Sequence, residues 1–248
     1  MSVSMSDVRG LEERAFNAWP ALQTVLMDGW LLRFADGYTK RANSVNAWAP
    51  TRHVGDVITL AGPLYARLGL PLIFRLSPLA GGDSDRLLAD AGFVRADESL
   101  VLTSPLATRE CGDPDITLAS EADPAWLDGF AGASGVPPAR RGTHDRLLAA
   151  IRLPAAFACL RDNGVPIAWG LAVAERGRIG LFDIVTDPGA RRRGAARRLV
   201  TALLAWGAEL GATGAYLQVT ASNAAAIRLY ESLGFREVYR YHYRIAAE

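Results

Sequence analysis

The stretch Thr186-Asp187-Pro188-Gly189-Ala190-Arg191-Arg192-Arg193-Gly194-Ala195-Ala196-Arg197 decides how the second half of the chain is interpreted. It follows an apolar segment, Ile179 to Val185, and it leads into a run with helical periodicity. Its Pro-Gly turn is followed by basic residues and then by three consecutive small ones. The stretch therefore predicts a strand, a tight turn and the start of a long helix.

The start of this predicted helix is typical of an anion-binding site. The first N–H groups of a helix have no partner within it, and the helix dipole adds about half a positive charge there. A solvated helix start is the simpler alternative, but cations at that end of a helix are unfavourable unless an anion is present. Small residues allow a diphosphate to reach the backbone, and arginines add charge-assisted hydrogen bonds. The residues predicted to bind phosphate are Arg191, Arg192, Arg193, Gly194, Ala195, Ala196 and Arg197.

The remaining periodicities predict a mixed α/β chain. Strands are predicted at Gln23 to Phe34 (broken at Asp28-Gly29), Ala42 to Trp48, Leu72 to Leu76, Leu100 to Thr103, Ile116 to Leu118, Ala155 to Leu160, Ile167 to Ala174, Ile179 to Val185, Ala215 to Val219 and Val238 to Ile245. Helices are predicted at Leu11 to Ala18, Val57 to Leu68, Asp83 to Ala91, Pro124 to Phe130, Asp145 to Ile151, Gly194 to Gly211 and Ala226 to Leu233.

Two domains are expected. The segment Glu110 to Asp115 combines charge, Gly and Pro between two apolar runs, so the boundary is placed there, giving domains 1–109 and 110–248. The segment Asp85 to Phe93 also aligns without a gap with Ile227 to Phe235. This weak repeat favours a duplicated domain, although a helix with a glycine cap and an aromatic residue also recurs by chance.

Composition excludes several classes of protein. Half of the 248 residues are hydrophobic and the net charge is +1, so charge alone recruits neither nucleic acid nor an anionic membrane. Cys111 and Cys159 lie far apart, which suits a reducing cytoplasm, and the first ten residues lack the apolar stretch of a signal peptide. His53, His144 and His242 show no metal-ligand spacing, so no metal is expected and these histidines are expected to be packed or solvated.

Two blocks of sequence resemble the GNAT superfamily of N-acetyltransferases. The first is Val185 to Leu199, whose core Arg191-x-x-Gly194-x-Ala196 is intact although Pro188 comes one place later than the family pattern asks. The second is Asn223-x-x-Ala226-x-x-Leu229-Tyr230-Glu231-x-Leu233-Gly234-Phe235. The resemblance covers Asp115 to the C-terminus, and the first half is expected to be a degenerate GNAT-like domain.

The resemblance implies an open sheet in which the strands Ile179 to Val185 and Ala215 to Val219 splay apart to admit acetyl-CoA. In the family the backbone of the first strand binds the pantetheine arm, which here implies Ile184, Val185 and Thr186. The second block implies that Asn223, Ala226 and Tyr230 lie beside the coenzyme, with Tyr230 as the acid that assists the departing thiolate. From the residues themselves, Tyr230 can equally be a core residue and Asn223 a helix N-cap.

Asp183 is the candidate base for the acceptor amine. It lies in the strand that leads to the turn, and it shares strand parity with Ile179, Leu181 and Val185, so a lone carboxylate on that face needs an explanation. The functional interpretation is that it accepts a proton or binds a cationic substrate. The structural alternative is an ion pair with one of the many arginines.

The sequence therefore predicts transfer of an acetyl group from acetyl-CoA to an amine, by direct attack in a ternary complex, because neither cysteine has a nucleophile setting. One alternative is a non-catalytic acyl-CoA-binding sensor or scaffold. Another is a nucleic-acid protein that uses Arg191 to Arg198 as a basic patch, which the near-neutral charge disfavours. The acceptor, a small molecule or a peptide, and the oligomeric state stay open.

Overall fold

The computed structural model describes residues 4–106 and 112–247. Its helices and strands follow in mixed order along the chain. They are α1 Met5–Ala18, β1 Gln23–Met27, β2 Trp30–Phe34, β3 Val45–Ala47, α2 Val54–Arg67, β4 Ile73–Leu76, α3 Ser84–Asp90, β5 Val94–Pro105, β6 Ile116–Ala119, α4 Pro124–Ser134, α5 Pro138–Ala149, β7 Ala155–Asp162, β8 Val165–Glu175, β9 Arg178–Thr186, α6 Ala195–Glu209, β10 Gly214–Thr220, α7 Ala224–Ser232 and β11 Arg236–Ile245. The mixed α/β class predicted from sequence is confirmed.

The chain divides into two compact units. The first comprises Met1–Val101, Val219–Ala224 and Glu237–Glu248, and the second comprises Leu102–Gln218 and Ala225–Arg236. The division therefore differs from a single cut after residue 109, because the last strand groups with the N-terminal residues. Part of the predicted linker, including Cys111, lies outside the described residues.

The first unit contains the sheet order β1-β2-β3-β4-β11. Its last pairing is antiparallel, from His242↔Leu76 to Ile245↔Ile73. A buried ion pair joins Arg75 of β4 to Glu12 of α1, and the Tyr239 hydroxyl of β11 donates to Glu12 Oε1 over 2.6 Å. Because a buried charge is costly without partners, this network ties the C-terminal strand into the core of the first unit.

The second unit contains the sheet order β10-β9-β8-β7-β6. Alternate residues of β8 face opposite sides of this sheet. A Cβ atom at Gly170 would lie 3.0 Å from Leu199 Cδ2, so one face is closed by α6. A Cβ atom at Gly129 of α4 would lie 2.5 Å from the Trp169 ring, so α4 closes the other face. Glycine is required at both positions for this close packing.

Among the helices of the described residues, none is both long enough and apolar enough to cross a membrane.

Candidate functional site

Strands β9 and β10 pair over part of their length and then separate. Their parallel ladder runs from Gly214↔Arg178 to Leu217↔Leu181, while β9 continues to Thr186 and β10 to Thr220. The other edge of β9 stays paired with β8 as far as Ala168↔Thr186. Beyond Leu181 the β10-facing edge of β9 thus leaves the ladder, which confirms the splayed strands expected from the sequence. Backbone donors and acceptors at such an edge are available to a ligand.

The turn after β9 is held by the Asp187 side chain and leads into α6. The Asp187 carboxylate accepts from the Gly189 N–H over 2.8 Å, and Pro188–Ala190 form one 3-10 turn. Arg192 and Gly194 both have positive φ, 60° and 80°. The left-handed conformation of Gly194 next to helical Ala195 points successive N–H groups the same way, which is the geometry of a backbone anion nest.

The first amides of α6 precede its hydrogen-bond ladder. Arg198 N donates to Gly194 O over 3.1 Å, so the N–H groups of Ala195, Ala196 and Arg197 come before the first intrahelical bond that reaches back to the cap. Nothing lies within 4 Å of the place where a Gly194 Cβ would stand. The helix start is therefore open to a ligand and carries the positive end of the dipole.

The arginines of this turn differ in their partners. Arg193 is paired with Asp162 over 2.7 Å, and Arg198 is paired with Asp113 and Asp115 over 2.7 and 2.6 Å. The hydrogen bond from Arg198 holds the pKa of the Asp113 carboxyl below its usual range. Of the arginines from 191 to 198, the three that have no acidic partner among the described residues are Arg191, Arg192 and Arg197. These three arginines are exposed at the positive end of a helix, an arrangement that favours an anion.

Helix α7 lies beside the start of α6. Arg197 Nη2 donates to Ser232 Oγ over 2.6 Å, which joins the two helices. Tyr230, two residues before Ser232, is 7% exposed and packs edge-to-face on Phe235 at 5.8 Å. Burial raises the pKa of Tyr230 to about 12. Among the described residues its hydroxyl has no hydrogen-bond partner, and it is not one of the buried polar atoms left without a partner, so the ring is a core residue whose hydroxyl keeps contact with solvent.

Asn223 and Ala226 flank the start of α7. The Asn223 N–H donates to the Thr220 carbonyl over 2.9 Å, and its side chain is exposed. Asn223 groups with the first unit and Ala226 with the second. Their contact with a coenzyme stays a prediction.

The geometry of Asp183 corrects the parity assumed from the sequence. The β8–β9 register shifts between Trp169↔Val185 and Leu171↔Phe182, so β9 carries an extra residue opposite Gly170. Asp183 lies in this bulge with φ 49°, which breaks the alternation that would have placed its side chain with Ile179 and Leu181. A bulge re-aims a side chain, and the carboxylate here points to α5.

The partner of Asp183 is a histidine and not an arginine. His144 Nε2 lies 2.8 Å from Asp183 Oδ2, across 39 residues of sequence. His144 is 1% exposed, and its ring stacks on Phe130 of α4 at 4.8 Å. Sequence reasoning expected a packed or solvated histidine and missed this pair, because nothing in the local sequence around residue 144 indicates a contact with β9. In the part of the chain that the structure describes, no group of three His, Cys, Asp or Glu could hold a metal ion.

A cavity of about 430 Å³ lies elsewhere in the second unit, between the β6–α4 connection, α5 and β7. It is lined by apolar residues such as Leu148 and Phe157, with Glu121, Asp145 and Arg152 among its polar groups. The predicted site residues do not line it. The cavity is therefore separate from the turn that is predicted to bind phosphate.

Known proteins resemble the chain over nearly its whole length. The family model described as "Probable histone acetyltransferase Rv0428c C-terminal" matches residues 5–244. The Uncharacterized N-acetyltransferase YobR of Bacillus subtilis (strain 168) is 32% identical over 246 residues, which cover 97% of this chain and 99% of that protein.

Two solved structures share the fold. A GCN5-related N-acetyltransferase from Kribbella flavida superposes with a TM-score of 0.74 at 16% identity, covering 99% of this chain and 97% of that one. A tandem GNAT protein from the clavulanic acid biosynthesis pathway superposes with a TM-score of 0.63 at 12% identity, covering 99% of this chain and 96% of that one. At these identities the likeness shows the fold, which is that of tandem GNAT domains.

Proposed function

The chain belongs to the GNAT N-acetyltransferases, in the family described as Probable histone acetyltransferase Rv0428c C-terminal, and we propose that it moves the acetyl group of acetyl-CoA to an amine nitrogen by direct attack in a ternary complex. The observation that carries this proposal is the start of α6. It combines amides that precede the intrahelical hydrogen-bond ladder, a left-handed Gly194 and three arginines without an acidic partner among the described residues, next to the end of the β9–β10 ladder.

The residues present fit a coenzyme diphosphate. Its two negative charges would lie against the amides of Ala195 and Ala196, where the helix dipole favours an anion. Arg191, Arg192 and Arg197 would bond the phosphate oxygens, while Arg193 and Arg198 already have carboxylate partners. Bulk at residue 194 would obstruct this approach, and the absence of neighbours around Gly194 leaves the approach open.

The splayed edge of β9 would hold the pantetheine arm. Ile184, Val185 and Thr186 lie beyond the last β9–β10 pair and are half-buried, so their peptide groups can bond an extended ligand as a missing strand would. A backbone N–H near Val185 would polarise the thioester oxygen. Bound acetyl-CoA supplies the activated acyl group.

Tyr230 would assist the leaving thiolate by hydrogen bonding. With its pKa raised to about 12, the phenol stays protonated at neutral pH. Complete proton transfer to a thiolate whose acid has a pKa of about 8.5 would be uphill by roughly 5 kcal/mol. The hydroxyl would therefore stabilise developing charge as a donor, and the thiolate would take its proton from water.

Asp183 would accept the proton that the acceptor amine must lose. An aliphatic amine is mostly protonated at neutral pH and cannot attack in that form. The carboxylate is on the α5 side of β9, just past the point where β9 leaves β10. A cysteine nucleophile has no support, since Cys159 is buried in β7 and burial raises the pKa of its thiol.

Titration calorimetry with acetyl-CoA tests the coenzyme site. Replacing Arg191 and Arg192 together by Gln should weaken binding by about tenfold or more per lost charge-assisted bond. The matched control is Arg198→Gln, a cation of the same helix end that is held by Asp113 and Asp115, which should stay within about twofold. Equal losses in both proteins, or no heat with the wild type, would contradict the proposal.

The acceptor screen follows the release of free thiol with a lysine-containing peptide, a peptide with a free N-terminal amine and a polyamine. We expect thiol release with at least one of these amines. Coenzyme binding without thiol release from any amine would instead indicate a sensor or scaffold.

A further inference from the structure

We propose that His144 is the positioning residue for Asp183: its imidazole holds one carboxylate oxygen so that the other faces the acceptor nitrogen. The inference rests on the proposed function, because it assigns a role within the same acetyl transfer. The sequence around residue 144 contains no motif that indicates this role.

The pair is asymmetric in a way that suits a base. His144 Nε2 engages Asp183 Oδ2 at 2.8 Å, while Oδ1 has no hydrogen-bond partner among the described residues. The Asp183 side chain keeps 11% of its surface exposed, whereas that of His144 keeps 1%. Oδ1 can therefore meet a ligand, while Oδ2 is held by a histidine that is itself buried.

The backbone conformation supports a function beyond packing. Asp183 has φ 49° within the bulge, a left-handed conformation that costs about 1 kcal/mol or more for a residue with a side chain. In a regular strand the Asp183 side chain would lie on the same face as Leu181, toward α6. Strain of this kind persists where surrounding contacts fix it, and the bond to His144 is such a contact.

The histidine is itself fixed by its surroundings. Its ring stacks on Phe130 with an interplanar angle of 23°. Its ionisable neighbours include Asp183 on β9 and Asp145, whose carboxylate lies 3.7 Å from Nδ1. One turn earlier on α5, Arg141 pairs with Asp128 of α4 at 3.7 Å. A ring held by stacking loses little entropy when it bonds a carboxylate, so it can orient Asp183 precisely enough for proton transfer.

The proton step balances without another reactant. One N–H bond of the acceptor ammonium breaks, an O–H bond forms at Asp183 Oδ1, and the electron pair left on nitrogen attacks the thioester carbon. The C–S bond then breaks with its electron pair leaving on the thiolate sulfur, the nitrogen loses its second proton to water, and water protonates the thiolate. The proton on Asp183 later leaves to water. His144 keeps its hydrogen bond to Oδ2 throughout and does not touch the substrate.

Two substitutions separate positioning from packing. His144→Phe keeps a ring to stack on Phe130 but removes the bond to Asp183, so kcat should fall about 100-fold while the KM for acetyl-CoA changes less than about twofold. His144→Gln restores a donor near the position of Nε2, so kcat should recover to within about fivefold of the wild type.

A double-mutant cycle completes the test. If His144 acts through Asp183, then His144→Phe should slow Asp183→Asn no further. Three results would overturn the inference: additive losses in the double mutant, an unchanged kcat in His144→Phe, or a low kcat in His144→Gln. The proposed function would still stand in each case, as long as the wild type binds the coenzyme and turns over. If His144→Phe does not fold, kcat and the KM for acetyl-CoA of His144→Gln decide: a kcat within about fivefold of the wild type at an unchanged KM supports the inference, and a kcat about 100-fold lower overturns it. A wild type without turnover would overturn both.

Discussion

Tyr230 illustrates how one residue can serve both the core and the chemistry. Its ring packs on Phe235, and its hydroxyl has no partner among the described residues. Replacing it by Phe keeps the packing, so acetyl-CoA binding should be unchanged while kcat falls about 100-fold. Since the pKa of Tyr230 is raised to about 12, the ratio of wild-type to Tyr230→Phe kcat should stay constant from pH 7 to 10. A ratio that falls near pH 10, or equal rates, would contradict this role.

The turn residues around Gly194 could be interpreted from the sequence because their chemistry is local. A helix start, small residues and adjacent cations occur together within the same few positions. Which of these arginines are paired with a carboxylate could not be predicted, because Asp162 and Asp113 contact Arg193 and Arg198 from distant parts of the chain. Asp183 shows the same limit, because its orientation depends on a bulge set by the register against β8.

At the scale of elements, the sheet of the second unit depends on glycines where helices approach it. A Cβ atom at Gly170 would lie 2.7 Å from Ile184 Cδ1 and 3.0 Å from Leu199 Cδ2. Gly170→Ala should therefore cost about 1–3 kcal/mol of unfolding free energy, and it should weaken acetyl-CoA binding by displacing Ile184. Urea denaturation and calorimetry measure the two effects.

Gly142→Ala is the matched control for this prediction. Gly142 lies in α5 with nothing within 4 Å of its would-be Cβ, so alanine should stabilise the helix by about 1 kcal/mol or less. A Gly170→Ala protein as stable as Gly142→Ala would mean that α6 does not pack on β8 as described.

Elements with clear apolar periodicity were predicted well, and the others were not. The long helix was expected from Gly194 and begins at Ala195. Helix α5 begins at Pro138, seven residues before the predicted start at Asp145, because its first two turns are polar and show no apolar stripe. Strand β5 begins at Val94 and not Leu100, since its first half carries charged residues that hide the alternation.

At the scale of the whole molecule, the C-terminal strand belongs to the first unit. Residues of β11 pair with β4, and the core of the first unit includes Tyr239, Tyr241 and Tyr243. Pairings between residues more than 160 positions apart leave no local signal, so the sequence suggested a single cut near residue 109. The tandem GNAT fold was predicted from the sequence, whereas the grouping of the C-terminal strand with the N-terminal residues was not.

Truncation after Arg236 tests this assignment. Losing three buried tyrosines should remove roughly 6 kcal/mol of apolar burial, comparable with the whole stability of a domain, so the first unit should unfold. Limited proteolysis should then cleave within residues 4–101 but spare the second unit. A chain ending at Ala246 is the control and should resist protease like the full chain. Equal resistance in both truncations would show that β11 does not hold the first unit together.

The central claim is that the start of α6 binds the coenzyme diphosphate, and a crystal structure with acetyl-CoA tests it most directly. We expect phosphate oxygens within about 3 Å of the amide nitrogens of Ala195 and Ala196, with Arg191 or Arg192 closing on them. A diphosphate bound elsewhere while this turn stays empty would contradict it.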